Sequence, residues 1–226
     1  MEHTVLWFYG AALLALFPIV DPITAAISFA AMTQNRDRAW RSRQARLAAI
    51  YMVIILFVFQ VLGSWILRFF AITLEAIRVA GGIMMWYAGI EMMRGGARLT
   101  EGEQSKSLIK DDVAFTPLAM PLLSGPGAIA VTLTLSARSA PFANQIAIVL
   151  AIATIAAVAY AALRSASALE SHVGEMGRLA VSKVLGFLLL CMAVQFIMSG
   201  VSPVFEGSFT TVPAPNGASP YIRRPQ

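Results

Sequence analysis

Six long apolar runs, at residues 5–32, 47–70, 72–93, 113–137, 146–163 and 179–201, follow one another along the chain with short polar stretches between them. A helix crosses the hydrocarbon core of a bilayer with about 20 apolar residues, so each run predicts one membrane-spanning helix. The connections are an arginine-rich stretch at 34–46, a tight turn near Ala71, a polar charged segment at 95–112, a turn near Pro141 and a polar segment at 170–178. After Pro203 the chain is rich in Pro, Gly, Ser and Thr, a composition that buries too little apolar surface to fold. The predicted fold class is an all-α polytopic membrane protein of about six transmembrane helices. Residues 1–203 form a single transmembrane domain, and 204–226 form a disordered tail.

The first and fourth runs are interrupted. Pro18 and Pro22 stand four apart inside one, Pro121 and Pro126 inside the other. Proline removes an amide donor and pushes the residue before it out of helical geometry, so both spans are predicted to be discontinuous. A shift of the chain by 104 positions places Pro22 on Pro126, Gly82 on Gly186, Glu91 on Gln195 and Gly96 on Gly200. Each half then holds a broken helix, an uninterrupted helix and a helix with glycine near its start. Three spans per half force opposite orientations, so the pattern predicts two inverted three-helix repeats, at about 5–96 and 113–201.

Asp21 before Pro22 has the chemistry of an N-cap followed by proline at the first helical position, and Gly125 before Pro126 offers a weaker form of the same start. Two half-helices therefore begin at bilayer depth. Their first amides lack intrahelical acceptors and carry the positive end of the helix dipole, which suits an anion such as a carboxylate. The candidate solute-binding residues are Asp21, Pro22, Ile23 and Thr24 at the first break, and Ser124, Gly125, Pro126, Gly127 and Ala128 at the second. Asp21 is the only acidic residue well inside a span, which makes it the candidate for coupling to a proton or cation. Capping alone would also account for it. An ionised Asp21 would repel a substrate carboxylate toward the second break and meet an ammonium group or cation itself. Thr24, Ser28, Thr132 and Thr134 are weaker path-lining candidates, Glu91 reads as an interfacial group beside Arg94, and Gly81, Gly82, Gly89 and Gly186 read as sites of close helix packing.

Composition narrows the function. Only 13% of the 226 residues are charged, against about a quarter in soluble domains, so there is too little charge to coat a water-facing surface. The net charge of +5 does not point to nucleic acid, because the basic residues gather beside the apolar runs. Arg36, Arg38, Arg41, Arg43, Arg46, Arg94, Arg98, Lys106, Lys110, Arg164, Arg178 and Lys183 fall on one side, and Arg68, Arg78 and Arg138 on the other. The positive-inside rule then puts both termini on the outer, periplasmic side, and the first run reads as a retained span. Cys191 is the only cysteine, and His3 and His172 are the only histidines, so no thiolate cluster, Walker loop or catalytic triad is legible. An enzyme, a resident metal and a cofactor are not expected.

The runs FPIVDPIT (17–24), AIRVAGGIMMW (76–86), PLAMPLLSGPGAIA (117–130) and SKVLGFLLLCMAVQFIMSGV (182–201) resemble the MarC family of bacterial inner-membrane proteins, over about residues 5–201. The resemblance implies a six-span fold with inverted repeats, related to neutral amino acid transporters. Such families carry Asn where Asp21 stands, and often Gly in place of Thr24 and Pro in place of Ile27. The resulting expectation is a multi-pass inner-membrane secondary transporter, permease or exporter, moving small neutral amino acids or similar solutes by alternating access. Its partners are the lipid bilayer and a small solute coupled to a proton or cation, with self-association into a homo-oligomer left open. The alternative is a non-transporting scaffold or regulatory protein in which the stretch 34–46 binds a partner or anionic lipid.

Overall fold

The computed structural model describes residues 2–34, 36–94, 112–138 and 142–209. Among them all regular structure is helical: α1 (Glu2–Val20), α2 (Pro22–Met32), α3 (Arg38–Phe69), α4 (Leu74–Met93), a wide-turned segment α5 (Ala114–Leu123), α6 (Pro126–Arg138), α7 (Phe142–Arg164) and α8 (Ala166–Phe209). Four stretches are long and apolar enough to cross a membrane: Val5–Met32, Arg38–Phe69, Phe142–Arg164 and Leu179–Pro203. The bent pair α5–α6 makes five. The remaining predicted span, 72–93, coincides with α4, whose 20 residues would measure about 30 Å but include Glu75, Arg78 and Glu91. The chain is thus an integral membrane protein with four to five strongly apolar spans among the described residues.

α2 is buried on nearly every side, from Pro22 through Met32, with Ile23 and Ala31 as the exceptions. In lipid, a helix with no exposed face must be enclosed by other helices. α7 supplies one wall with Ala147, Ile148, Ala151, Ile152, Ile155, Ala156 and Ala159, and α8 another; α3 turns a stripe of small and medium side chains (Ala45, Ala48, Ala49, Met52, Leu56, Gln60, Gly63) toward α5, α6 and α7. Both stripes advance by three or four residues, one helical face. The opposite faces carry exposed Ile54, Val61, Trp65, Phe142 and Leu150, as side chains in contact with lipid tails should. Trp7 and Trp65 are also exposed, near the ends of their helices.

α4 and α8 form the most extensive pair. Lipid tails are as apolar as leucine, so helices in a bilayer associate through close packing, and small residues permit it. A Cβ at Gly82 would stand 2.9 Å from the Ala193 carbonyl oxygen and 3.1 Å from the Ile197 amide nitrogen. At Gly186 it would stand 3.0 Å from the Gly89 carbonyl oxygen and 3.3 Å from the Met93 amide nitrogen. Gly82 and Gly186 are 104 positions apart, as are Gly89 and Ala193, and Met93 and Ile197. The other packings pair in the same way: α1 lies on α7 as α5 lies on α3, and α4 on α6 as α2 on α8.

Three differences from expectation have local causes. Pro18 lies inside α1 without ending it, so the first span breaks only at Asp21. The polar segment 170–178 is not a loop: α8 begins at Ala166, with only Ser165 between it and the end of α7, and runs through it. No proline interrupts that stretch, and its Ala, Leu and Glu residues favour helix. At its other end α8 continues past Pro203 to Phe209, beyond the predicted edge of the membrane domain. The predicted segment 95–111, the Pro141 turn and residues 210–226 lie outside the described residues.

Between α3, α6 and α7 a polar knot sits in apolar surroundings. Gln60 Nε2 donates to the Gln145 backbone carbonyl at 2.9 Å and to its Oε1 at 3.2 Å, Gln145 Nε2 donates to the Ser136 carbonyl at 3.0 Å, and the Ser136 hydroxyl donates to the Gln60 carbonyl at 3.0 Å. Gln145→Ala is expected to lower the unfolding free energy by about 1–2 kcal/mol, the scale of hydrogen bonding between membrane helices. Denaturant titration in mixed micelles reads that loss directly.

Candidate functional site

The two breaks differ in construction. At the first, a single residue leaves the helix: Asp21 adopts the left-handed conformation, φ 46° and ψ 70°, which costs a non-glycine residue about 1–2 kcal/mol and is best tolerated by Asn and Asp. The backbone ladder nevertheless continues through it. Asp21 N donates to Phe17 O at 2.9 Å, and Ala25 N donates to Asp21 O at 3.1 Å. The side chain caps the new helix, with Thr24 N donating to Oδ1 at 3.1 Å and Pro22 at the first position. The carboxylate is wholly buried, and Oδ2 has no hydrogen-bond partner. Thr24 Oγ1, one turn on, is likewise buried and unpartnered.

The second break extends over a whole segment. Thr116 and Met120, each preceding a proline, are extended (φ −126°, ψ 119°; φ −134°, ψ 123°), the conformation that Pro117 and Pro121 impose on the residue before them. The chain compensates with wide turns, Leu118 N donating to Val113 O at 3.2 Å and Ser124 N to Ala119 O at 2.8 Å. α6 then restarts at Pro126, bent by 60° from α5. A Cβ at Gly125 would lie 2.6 Å from the Pro121 carbonyl oxygen, so only glycine fits the joint. Pro126 has no amide hydrogen, and the next amides, of Gly127 and Ala128, lie in a first turn whose acceptors cannot be intrahelical.

A cavity of ≈ 230 Å³ opens at this second break, lined by Gly125, Pro126 and Gly127 with Pro121 and Leu122, by Met84, Met85, Tyr87, Ala88 and Glu91 of α4, and by Ile19 and Leu189. It lies below the roughly 300–1,000 Å³ of sites for drug-sized ligands. Gly127 makes it possible: a Cβ there would meet Met85 Cγ at 2.7 Å and Ile19 Cγ2 at 3.3 Å. Ile19 sits two residues before Asp21, so the two breaks meet through the Ile19–Gly127 contact. Asp21, Pro22, Thr24, Ser124 and Ala128 are buried and are not among the cavity's lining residues, and Ile23 is half-buried. Ser124 Oγ is buried without a partner. Of the weaker path candidates, Thr132 Oγ1 donates to Ala128 O at 2.8 Å within its own helix, whereas Thr134 Oγ1 is buried and unpartnered.

Glu91 is the functional candidate that the sequence placed elsewhere. Read as an interfacial group beside Arg94, it is exposed near the end of α4 and also lines the cavity, together with the start of α6. The available signal was helical spacing: Met84, Ala88 and Glu91 recur at four and three residues along one face of α4. Among the described residues no three His, Cys, Asp or Glu side chains converge as a metal site.

Comparison with known proteins follows the same boundaries. The profile of the MarC family of integral membrane proteins matches residues 6–205. The chain is 31% identical over 210 residues to the inner membrane protein MarC of Escherichia coli (strain SMS-3-5 / SECEC), covering 87% of this chain and 95% of that one. It is 31% identical over 198 residues to a membrane protein of Methanocaldococcus jannaschii, covering 87% of this chain and 97% of the other. No solved structure matches.

Proposed function

The chain belongs to the MarC family of integral membrane proteins, and on that premise we propose that it is a secondary transporter of a small zwitterionic solute, a neutral amino acid in the first instance. The observation that carries this reading is the small cavity between Glu91 and the first turn of α6. A zwitterion matches both walls. Its carboxylate suits the Gly127 and Ala128 amides at the positive end of the α6 dipole, and its ammonium suits the Glu91 carboxylate. Proline-broken helices meeting in the membrane interior are the usual construction of such sites.

Alternating access would follow from two inverted repeats, about 5–96 and 113–201, rocking against each other. Support comes from the reciprocal contacts of α4 and α8. When residue i of one half touches the mate of j, and j touches the mate of i, the halves are related as the two sides of a two-fold interface. Gly82 with Ala193 and Gly186 with Gly89 satisfy that condition. We place the protein in the cell inner membrane with both termini outward, from the arginine asymmetry and from its similarity to inner membrane proteins. Asp21 is the candidate coupling group, its buried Oδ2 free to take a proton or a cation.

Proteoliposomes made with the purified chain, incubated with a panel of radiolabelled neutral amino acids, test the reading. Uptake of at least one member should exceed that of empty liposomes and be reduced by the same unlabelled compound. Folded protein that moves none of them, under inward and outward gradients of proton and sodium, would leave the scaffold alternative in possession.

A further inference from the structure

At the end of α7, Arg164 Nη1 donates a hydrogen bond to the Tyr160 hydroxyl oxygen at 3.1 Å. Because that oxygen accepts, its own proton is directed elsewhere. From α3 the Ser42 hydroxyl is directed at the same oxygen and the Arg46 guanidinium lies near enough to act on it, so that among the described residues the charges acting on this oxygen are those of the two arginines. Four donors from two helices thus converge.

Their depth is defined by the chain itself. Arg46 is the last charged residue of α3 before the apolar stretch that continues to Leu67, and Arg164 is the final residue of α7. Both are exposed. The cluster therefore stands where polar headgroups meet hydrocarbon. Toward the hydrocarbon the Arg46 face of α3 continues at four-residue spacing with Ile50 and Ile54, which are 45% and 50% exposed. Cations and hydroxyls lie above an uncovered apolar strip.

We propose that this junction of α3 and α7 is a binding site for the phosphodiester of an anionic membrane phospholipid. Arg46 and Arg164 contact the phosphate, the Ser42 and Tyr160 hydroxyls donate to its free oxygens, and an acyl chain lies over Ile50 and Ile54. The strip is what selects a lipid over free phosphate, which would meet the same donors and gain nothing beneath them. Net charge selects an anionic lipid over phosphatidylcholine, whose trimethylammonium group the two arginines repel. Two neighbouring arginines are placed differently, Arg41 over the Phe29 ring at 5.8 Å and Arg36 over the Trp40 ring at 4.9 Å.

Native mass spectrometry of the full-length protein, with phosphatidylglycerol and phosphatidylcholine of identical acyl chains, tests the site. Phosphatidylglycerol should be retained about tenfold or more over phosphatidylcholine, on the order expected for two basic residues at an anionic surface. The double variant Arg46→Gln with Arg164→Gln should bring the two lipids level, Arg46→Lys with Arg164→Lys should keep most of the preference, and Arg68→Gln at the far end of α3 should leave it intact. Equal retention by the wild type, or a preference that survives the double glutamine variant, overturns the proposal. So does displacement of phosphatidylglycerol by inorganic phosphate at equal concentration, which would make the ligand a free ion. Lipid selectivity is read without transport, so this result and the transport result stand apart.

Discussion

Leucine at Gly186 is expected to lower the unfolding free energy of the purified protein by about 3 kcal/mol or more, the upper range for overpacking a closed contact. A Cβ at this position already lies 2.8 Å from Met92 Cβ and 3.0 Å from the Gly89 carbonyl oxygen, and leucine adds three further carbons. The backbone cannot yield without separating α4 from α8, and close packing is what holds two helices together in lipid. Gly82→Leu should cost a comparable amount, because its surroundings, the Ala193 carbonyl and the Ile197 amide, are those of Gly186 moved by 104 positions. Gly10→Leu serves as the control. No atom lies within 4 Å of a Cβ there, so its effect should stay within about 0.5 kcal/mol. Thermal unfolding in detergent micelles measures all three. A large loss at Gly186 with none at Gly82 would count directly against the two-fold relation proposed for the halves.

These glycines were legible from the sequence because the constraint on them is local: close approach of two helices in lipid requires small residues, although the shared offset linked Gly82 to Gly186 without saying what either would touch. The cap at Asp21 was legible for a similar reason, since Asp-Pro encodes a helix start within two residues. What escaped depends on neighbours. Whether Pro18 breaks α1 is decided by the surrounding packing, which holds the turn before it in place, and hydropathy carries no trace of that. Pro121 marked an irregularity, but the wide turns of α5 form only because the carbonyls of Val113 and Ala119 remain within reach of amides five residues on. Glu91 was assigned to the interface on its nearness in sequence to Arg94. Its role in the cavity wall depends on α4 lying against α6, where Gly81 faces Ala130, a contact between residues far apart along the chain. Periodicity therefore locates a helix and its buried face, but not the element that the face will meet.

The two breaks, unequal in construction, should also be unequal in what their substitution does to flux. Gly127→Leu is expected to stop solute uptake in proteoliposomes while the protein stays folded. The obstacle at Gly127 is the Met85 side chain, 2.7 Å from a Cβ, and Ile19 at 3.3 Å. Flexible side chains can turn aside, but only into the ≈ 230 Å³ cavity, so the solute's space is lost rather than the helix packing. Gly127→Ala should give a graded loss, and unchanged melting of both variants separates blockage from misfolding. Asp21→Asn should behave differently. Asparagine can keep the left-handed conformation and the bond from Thr24 N to Oδ1, so capping, worth about 1 kcal/mol, is retained and stability should barely change. What it removes is the ability of the buried Oδ2 to exchange a proton or balance a cation. Net uptake driven by an ion gradient should fall at least about tenfold, the result of uncoupling by 1.4 kcal/mol or more, while exchange of labelled for unlabelled solute persists. If gradient-driven uptake by Asp21→Asn matches the wild type and keeps its pH dependence, Asp21 is a cap and nothing more. The coupling group must then be sought at Glu91, the other carboxylate that the fold brings to the breaks.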